Sequence, residues 1–318
     1  MNDREQFYKN FYNALEKVME PSGIRLEETE VPKNNKVVKG IAVRFPDFEA
    51  APTVYPDHYF GVWKNGHSVE SIALSVRNEL IANAPGISKV DIESINRVEA
   101  ATHLRASIVN YESNKNWLKD IPHERIADLA VFAKWDFGDG YISKVNGYLL
   151  GQIGLTKEEA LKIAKENTAR TAELKSMDQV MTEIIKETVG GDGLADDLAA
   201  GVADSSLYVL TTESGFDGAS LIADRNILKQ VHEELGEDFY ILPSSIHEVI
   251  LVGKSDTDGD VDSLCEMVRS INEAEVPVED RLSDNVYEYD GSSLKLAGMD
   301  ELKEEHSMAD MFHYHRSR

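Results

Sequence analysis

Residues 239–252, reading Phe-Tyr-Ile-Leu-Pro-Ser-Ser-Ile-His-Glu-Val-Ile-Leu-Val, constrain this chain more than any other stretch. Two runs of aliphatic and aromatic residues flank a Pro-Ser-Ser corner. Short apolar runs bounded by turn residues form buried strands. Any fold must therefore bury two strands and bend the chain sharply between them. The bend sets two small polar groups, Ser244 and Ser245, and an imidazole, His247, beside a β core.

The flanking sequence supports that frame. Residues 207–211 read as a strand. Asp217 is placed to cap a helix carrying Ala219, Ile222, Leu228, Val231 and Leu235, which Gly236 closes. A further helix covers residues 261–272, and residues 286–289 and 293–296 form a hairpin across Asp290-Gly291. The order β-α-β-β-α-β-β predicts an open, mostly antiparallel sheet with helices packed on one face, hence an α+β protein.

Upstream, Phe7, Phe11, Ala14, Leu15 and Val18 share one helical face, which Pro21-Ser22-Gly23 ends. Residues 38–45 and 51–54 read as strands. Pro56 opens a short helix bearing Tyr59, Phe60 and Trp63, and Ser68 caps the next. Ile92, Ile95, Val98, Ala101 and Leu104 suggest another helix, followed by a strand at 106–111 and a polar segment at 112–116. Residues 126–135 read as one strand, apolar but for Asp128 and Lys134, with 141–150 as its hairpin partner. Thr156 and Glu159 form a capping box, and a helix containing Leu174, Met177, Val180, Met181, Ile184 and Ile185 ends in glycines at 190–193. This punctuation divides the chain into residues 1–86, 87–191, a linker at 192–205, 206–297 and a tail at 298–318. A Pro-His-Glu pattern recurs at 122–124 and 243–248, and duplication of an αββα unit would explain it.

A formal net charge of -24 over 318 residues repels phosphate backbones, so direct nucleic-acid binding is not expected. No apolar run reaches membrane-spanning length and the N-terminus carries no signal-like apolar core, which predicts a cytoplasmic protein without membrane contact. The lone Cys265 permits no internal disulfide and sits at helical spacing with Val261, Leu264 and Val268, as a small hydrophobe does.

The chemistry centres on the corner. Ser245 and His247 share one face of a regular strand and Glu248 faces the other way. Serine catalysis needs a base on the nucleophile and a third group orienting the base, and Glu248 is poorly placed for that. The corner therefore reads as a turn in which the serines satisfy backbone groups and His247 bonds across strands, with Pro243 and Glu248 as its flanks. The alternatives are a ligand-binding corner, with Pro243 and Glu248 as binding residues, and serine hydrolysis by Ser245 or Ser244 with His247. Asp128, inside an apolar run, requires a partner or an edge position, because an unpaired buried carboxylate is costly. Tyr59 and Trp63 read as packing between helix and sheet and, alternatively, as a binding platform. The acidic run at 256–262 lacks calcium-loop spacing and the glycines at 190–193 follow a helix, so no metal or nucleotide cofactor is expected.

Tyr208-Val209-Leu210-Thr211, Gly218-Ala219, residues 238–249, residues 282–287 with Tyr289, Ile121-Pro122-His123, residues 128–131, Tyr55, Tyr59 and Gly66 together carry a family resemblance. Across nearly the whole chain up to Ala297 it resembles an uncharacterised Firmicutes family known as a domain of unknown function, common in gut bacteria and their mobile elements. More loosely, the last third looks like the YtpQ-like family. The resemblance implies a context but no mechanism. The expected function is a non-enzymatic accessory component that binds a protein partner. The alternatives are the serine hydrolase and an acidic DNA mimic that inhibits a DNA-binding protein.

Overall fold

The computed structural model describes residues 2–46, 51–87, 97–137, 142–189 and 205–298. The glycines at 190–193, most of the linker at 192–205 and nearly all of the tail fall outside these residues.

The first helix, α1 (Asp3–Met19), starts at a capping box. The Asn2 side chain accepts the Glu5 N–H at 2.9 Å and the Glu5 carboxylate accepts the Asn2 N–H at 3.1 Å. Its four-residue stripe of Phe7, Phe11, Leu15 and Met19 is buried against β2 (Lys36–Arg44), β3 (Thr53–Val54), α2 (Asp57–Lys64) and α3 (Val69–Ile87). One strand escapes the sequence pattern: β1 (Arg25–Lys33) pairs with β2 over its whole length, yet none of its residues is fully buried. An exposed edge strand needs no apolar alternation, because its partner supplies the order. Where Pro85-Gly86 suggested a boundary, α3 continues to Ile87. A proline in the last turn forfeits only one helical hydrogen bond.

Of the helix expected over Ile92 to Leu104, the described part is α4 (Arg97–His103), and the middle of the chain then builds a four-stranded antiparallel sheet from β4 (Leu104–Asn110), β5 (His123–Ile126), β6 (Leu129–Asp136) and β7 (Ile142–Lys144). The run at 126–135 is therefore not one strand. It folds at Ala127-Asp128 into the tight β5–β6 hairpin, with Ala127 at φ 51°. Asp128 thus lies at a turn, where its carboxylate can reach polar partners. The polar segment at 112–116 is helical. Asn110 caps α5 (Tyr111–Leu118) by accepting the Ser113 N–H at 3.1 Å. The hairpin partner of β6 is only three residues long, since Asn146 caps α6 (Gly147–Ile153). The Thr156–Glu159 box opens α7 (Lys157–Ala169) as expected.

Leu174 belongs to a strand, β8 (Ala172–Ser176), before α8 (Met177–Val189). β8 joins a six-stranded antiparallel sheet ordered β13-β12-β10-β11-β9-β8, with β9 (Leu207–Thr212), β10 (Phe239–Leu242), β11 (Val249–Gly253), β12 (Tyr287–Tyr289) and β13 (Leu294–Leu296). The helix expected after Asp217 is split. A 3-10 segment (Gly218–Ala223) precedes α9 (Arg225–Leu235), which Asp224 caps and Gly236 ends at φ 76°. The helix α10 (Val261–Ala274) covers the opposite sheet face through Val268.

One continuous core joins the two larger sheets. Leu129, Val131, Ala133 and Trp135 of β6, Ala160 and Ala164 of α7, Leu228 and Val231 of α9, and Phe239, Ile241 and Leu251 all belong to it. The result is an α+β fold with antiparallel sheets. The two Pro-His-Glu segments hold different places in it: His123 and Glu124 begin a hairpin strand, whereas His247 and Glu248 lie in the corner before β11.

Candidate functional site

The corner between β10 and β11 is a polar joint. Ser245 is 5% exposed and its Oγ accepts the backbone N–H of His247 at 2.9 Å. The Ile246 N–H donates to the Asp280 carbonyl at 2.7 Å, the Ala219 N–H to the Ile246 carbonyl at 3.3 Å, and the Thr211 hydroxyl to the His247 carbonyl at 3.0 Å. Pro243 is buried, and its carbonyl accepts the Ser283 N–H at 3.3 Å. The half-exposed Ser244 donates its N–H to Leu242 at 3.2 Å. Backbone groups that leave the strand ladder at the corner thus find partners on three other segments, as buried backbone must.

The imidazole is fixed at both nitrogens. Nδ1 of His247 accepts the Asp217 N–H at 3.4 Å, and Nε2 lies 3.3 Å from Asp280 Oδ1. A ring nitrogen facing an N–H donor must be the unprotonated one, so Nε2 carries the proton and donates it to the carboxylate. In a serine triad the unprotonated nitrogen faces the hydroxyl. Here it faces a backbone amide, and Ser245 uses its oxygen as an acceptor. Glu248 is half-exposed.

Asp217 links this joint to the four-stranded sheet. Its backbone is left-handed at φ 56°, and its side chain makes no capping bond. Instead the carboxylate accepts from Ser107 Oγ at 2.7 Å and from Lys134 Nζ at 2.7 and 3.0 Å. Sequence reasoning read Asp217 as a cap, because Asp before an apolar helical stripe is the ordinary signal. The competing cation lies 83 residues away in the chain.

Asp128 ties the same region together from the other side. Its Oδ2 accepts from Asn110 at 3.1 Å, Ser283 at 2.9 Å and Asn285 at 3.0 Å, and its Oδ1 accepts the Tyr287 hydroxyl. The expectation of a partner at Asp128 is met four times over. Beside it the β1–β2 hairpin docks its two-residue tip. Asn34 donates to the Glu279 and Arg281 carbonyls at 3.0 and 2.9 Å, and Asn35 to the Val278 and Arg281 carbonyls at 2.9 and 2.8 Å. The buried Asn114 donates to both tip side chains at 2.9 and 3.0 Å. Asn35 holds φ 57°, a conformation that asparagine tolerates better than most residues. Nothing in the local pattern marks Asn34, Asn114 or Asn285; only the Asn-Asn pair between charged strands hints at a turn.

Burial, then the charge of Asp128, then the hydrogen bond to it push the Tyr287 phenol far above its ordinary value. The neutral form is favoured by folding, so this contribution is complete below about pH 10, where the unfolded phenol starts to ionise. It is lost as pH rises above that value. Unfolding stability is therefore expected to fall above about pH 10. The Tyr287→Phe variant should show a shallower decline in denaturant titrations across that range, the raised Tyr289 phenol accounting for part of what remains.

Tyr59 and Trp63 are distant from the joint in role. Tyr59 stacks on Phe11 with centroids 5.6 Å apart, and Trp63 lies 5.4 Å from Phe7 and 5.6 Å from Phe60. Both rings are half-buried against the N-terminal core. Among the described residues no cluster of side chains has the make-up of a metal site, and no helix is long and apolar enough to cross a membrane.

These features define an α+β protein with antiparallel sheets and a hydrogen-bonded polar corner, in which the His247 ring bonds to Asp217 and Asp280 and Ser245 Oγ to the His247 amide. A family model described as "Family of unknown function (DUF5688)" matches residues 4–291, and the chain belongs to that family. No curated protein and no solved structure matches it.

Proposed function

We propose that this chain is a non-catalytic accessory protein of the cytoplasm that works by binding another protein, and that it is carried by Firmicutes on mobile elements. The observation that supports binding most is Phe216. It is 65% exposed and stands edge-on to His247, with centroids 5.3 Å apart and planes at 87°. His247 is itself clamped by Asp217 and Asp280, so the exposed ring rests on a rigid base. Val37 and Val278, 62% and 45% exposed, lie on the segments that meet at the same joint. Exposed aromatics on a preorganised base are the usual anchors of protein interfaces. The partner's chemistry follows from charge. A chain of net charge -24 selects a partner with a basic rim around an apolar pocket for Phe216.

The serine hydrolase reading lacks a free imidazole nitrogen at Ser245 or Ser244. The DNA-mimic reading finds no support at the joint, whose carboxylates are engaged with lysine, histidine, tyrosine and amide groups. The test is affinity capture from native lysate with wild-type protein and the Phe216→Ala variant, each checked for an unchanged melting temperature. Wild-type protein should retain a stoichiometric, salt-sensitive partner. The variant should bind it about 30-fold more weakly, corresponding to about 2 kcal/mol at an interface anchor. Equal retention by both proteins would contradict the proposal, as would labelling of Ser245 by a serine-reactive fluorophosphonate.

A further inference from the structure

Three lysines come together where the end of β1 reaches β6 and β7 of the four-stranded sheet, and the charges of Lys33 and Lys134 both act on Lys144. Lys144 of β7 donates its Nζ to the Pro32 carbonyl at 2.7 Å and sits 4.6 Å over the Trp117 ring. Lys134 is directly opposite Lys144 in the β6–β7 register. Lys33, at the end of β1, lies with its Nζ 4.7 Å over the Tyr55 ring. Among the described residues one carboxylate answers them: Asp217 pairs with Lys134. Among the described residues, neither Lys33 nor Lys144 has a carboxylate within 4.0 Å, although the chain carries 57 acidic residues against 33 basic ones.

Like charges gathered in a half-buried place repel one another and lose hydration. An acidic chain could have placed carboxylates there to relieve this, yet the recess keeps an excess of positive charge. Burial first, then the charges of Lys33 and Lys134, lower the Lys144 ammonium to a pKa of about 8. Lys134 and Asp217 retain 21% and 14% side-chain exposure, and Lys33 and Lys144 are half-buried, so the lysine cluster keeps contact with solvent. A compact polyvalent anion would neutralise the excess and accept from several ammonium groups at once, which lysines do as point charges.

We propose that Lys33, Lys134 and Lys144 form a binding site for a phosphate group, with the Trp117 ring forming one wall. This site does not rest on the protein-binding reading, although Lys134 shares Asp217 with the base beneath Phe216. A phosphate there bridges the hairpin to the sheet, so its occupancy tightens the attachment of the N-terminal segment to the rest of the fold.

Thermal unfolding of the full chain in increasing inorganic phosphate tests this, with sodium chloride holding ionic strength constant. The expected result is a saturable rise in melting temperature, about 5 °C at a hundredfold excess over Kd. Lys144→Met should weaken phosphate binding at least about tenfold, and Lys144→Arg should preserve it. Lys33→Met, changed at a more peripheral position, should also weaken it and serves if Lys144→Met folds poorly. A second arm uses glycerol 3-phosphate. Tighter binding than inorganic phosphate assigns the site to a phosphomonoester, and equal or weaker binding assigns it to the free ion. The proposal is overturned if wild-type protein shows no saturable shift beyond chloride, or if both methionine variants bind phosphate as wild type does.

Discussion

Replacing Asp128 with alanine is expected to lower the unfolding free energy by about 2 to 4 kcal/mol, since it leaves two buried hydroxyl donors without their acceptor at about 1 to 3 kcal/mol each. The carboxylate accepts from Asn110, Ser283, Asn285 and Tyr287. Tyr287 is fully buried and Ser283 is 7% exposed, so neither hydroxyl can turn to water when the acceptor goes. Asn285 can recover solvent, which keeps the expected loss below the sum of four separate bonds. Asp128 also follows Ala127, whose left-handed φ of 51° costs about 1 kcal/mol by itself. The bonds on the carboxylate hold that turn in place. Asp128→Asn preserves shape but turns part of the acceptor into a donor, and should recover about half the loss. Urea unfolding measures both variants, and a loss under about 1 kcal/mol for alanine would show the hub to be ornamental.

Gly218→Ala is the second large effect. A methyl at Gly218 would stand 2.4 Å from the His247 carbonyl oxygen, 2.7 Å from Thr211 Cα and 2.8 Å from Thr211 Oγ1. Two of those atoms are backbone, so a rotamer change cannot relieve the overlap. The corner must move, with loss of the Thr211–His247 and Ala219–Ile246 hydrogen bonds. The expected cost is about 3 kcal/mol, the upper end for overpacking a close contact. Faster hydrogen exchange at the Ile246 and His247 amides should accompany it. Gly61→Ala supplies the control. Gly61 lies inside α2 with open space around it, and alanine there should stabilise the protein by about 0.5 to 1 kcal/mol. Similar small effects for both substitutions would mean that Gly218 does not mark a close approach.

The sequence carried the local part of this fold and missed the part that depends on distant partners. Capping at Thr156, the stop at Gly236 and the paired strands around the Pro-Ser-Ser corner follow from residues within a few positions of each other. The split of the 126–135 run could not be read that way. Only Ile126 of β5 falls in that run, directly before the buried β6, and the turn is made by alanine and aspartate without glycine. β1 was invisible because an edge strand with charged faces carries no apolar rhythm.

The same reasoning separates the parts of the site. Ser245 and His247 were legible as a polar corner, since they interrupt two strands. Their actual partners, Asp217 and Asp280, lie 30 and 33 residues from His247 in the chain. Asp128 was legible as a carboxylate in need of partners, but not as a bond between the middle and last thirds. The lysine recess left no signal at all, because Lys33, Lys134 and Lys144 each look like an ordinary strand lysine until the hairpin docks.

Nitrogen-resolved NMR of the His247 side chain tests the structural reading of the corner most directly. The expected spectrum shows a neutral ring in one tautomer, with Nε2 protonated towards Asp280 and Nδ1 bare towards the Asp217 amide. That pattern leaves no base for Ser245 and keeps the corner a joint. A ring with its bare nitrogen at Nε2, or one exchanging freely between tautomers, would contradict it and return the Ser-His pair to chemistry.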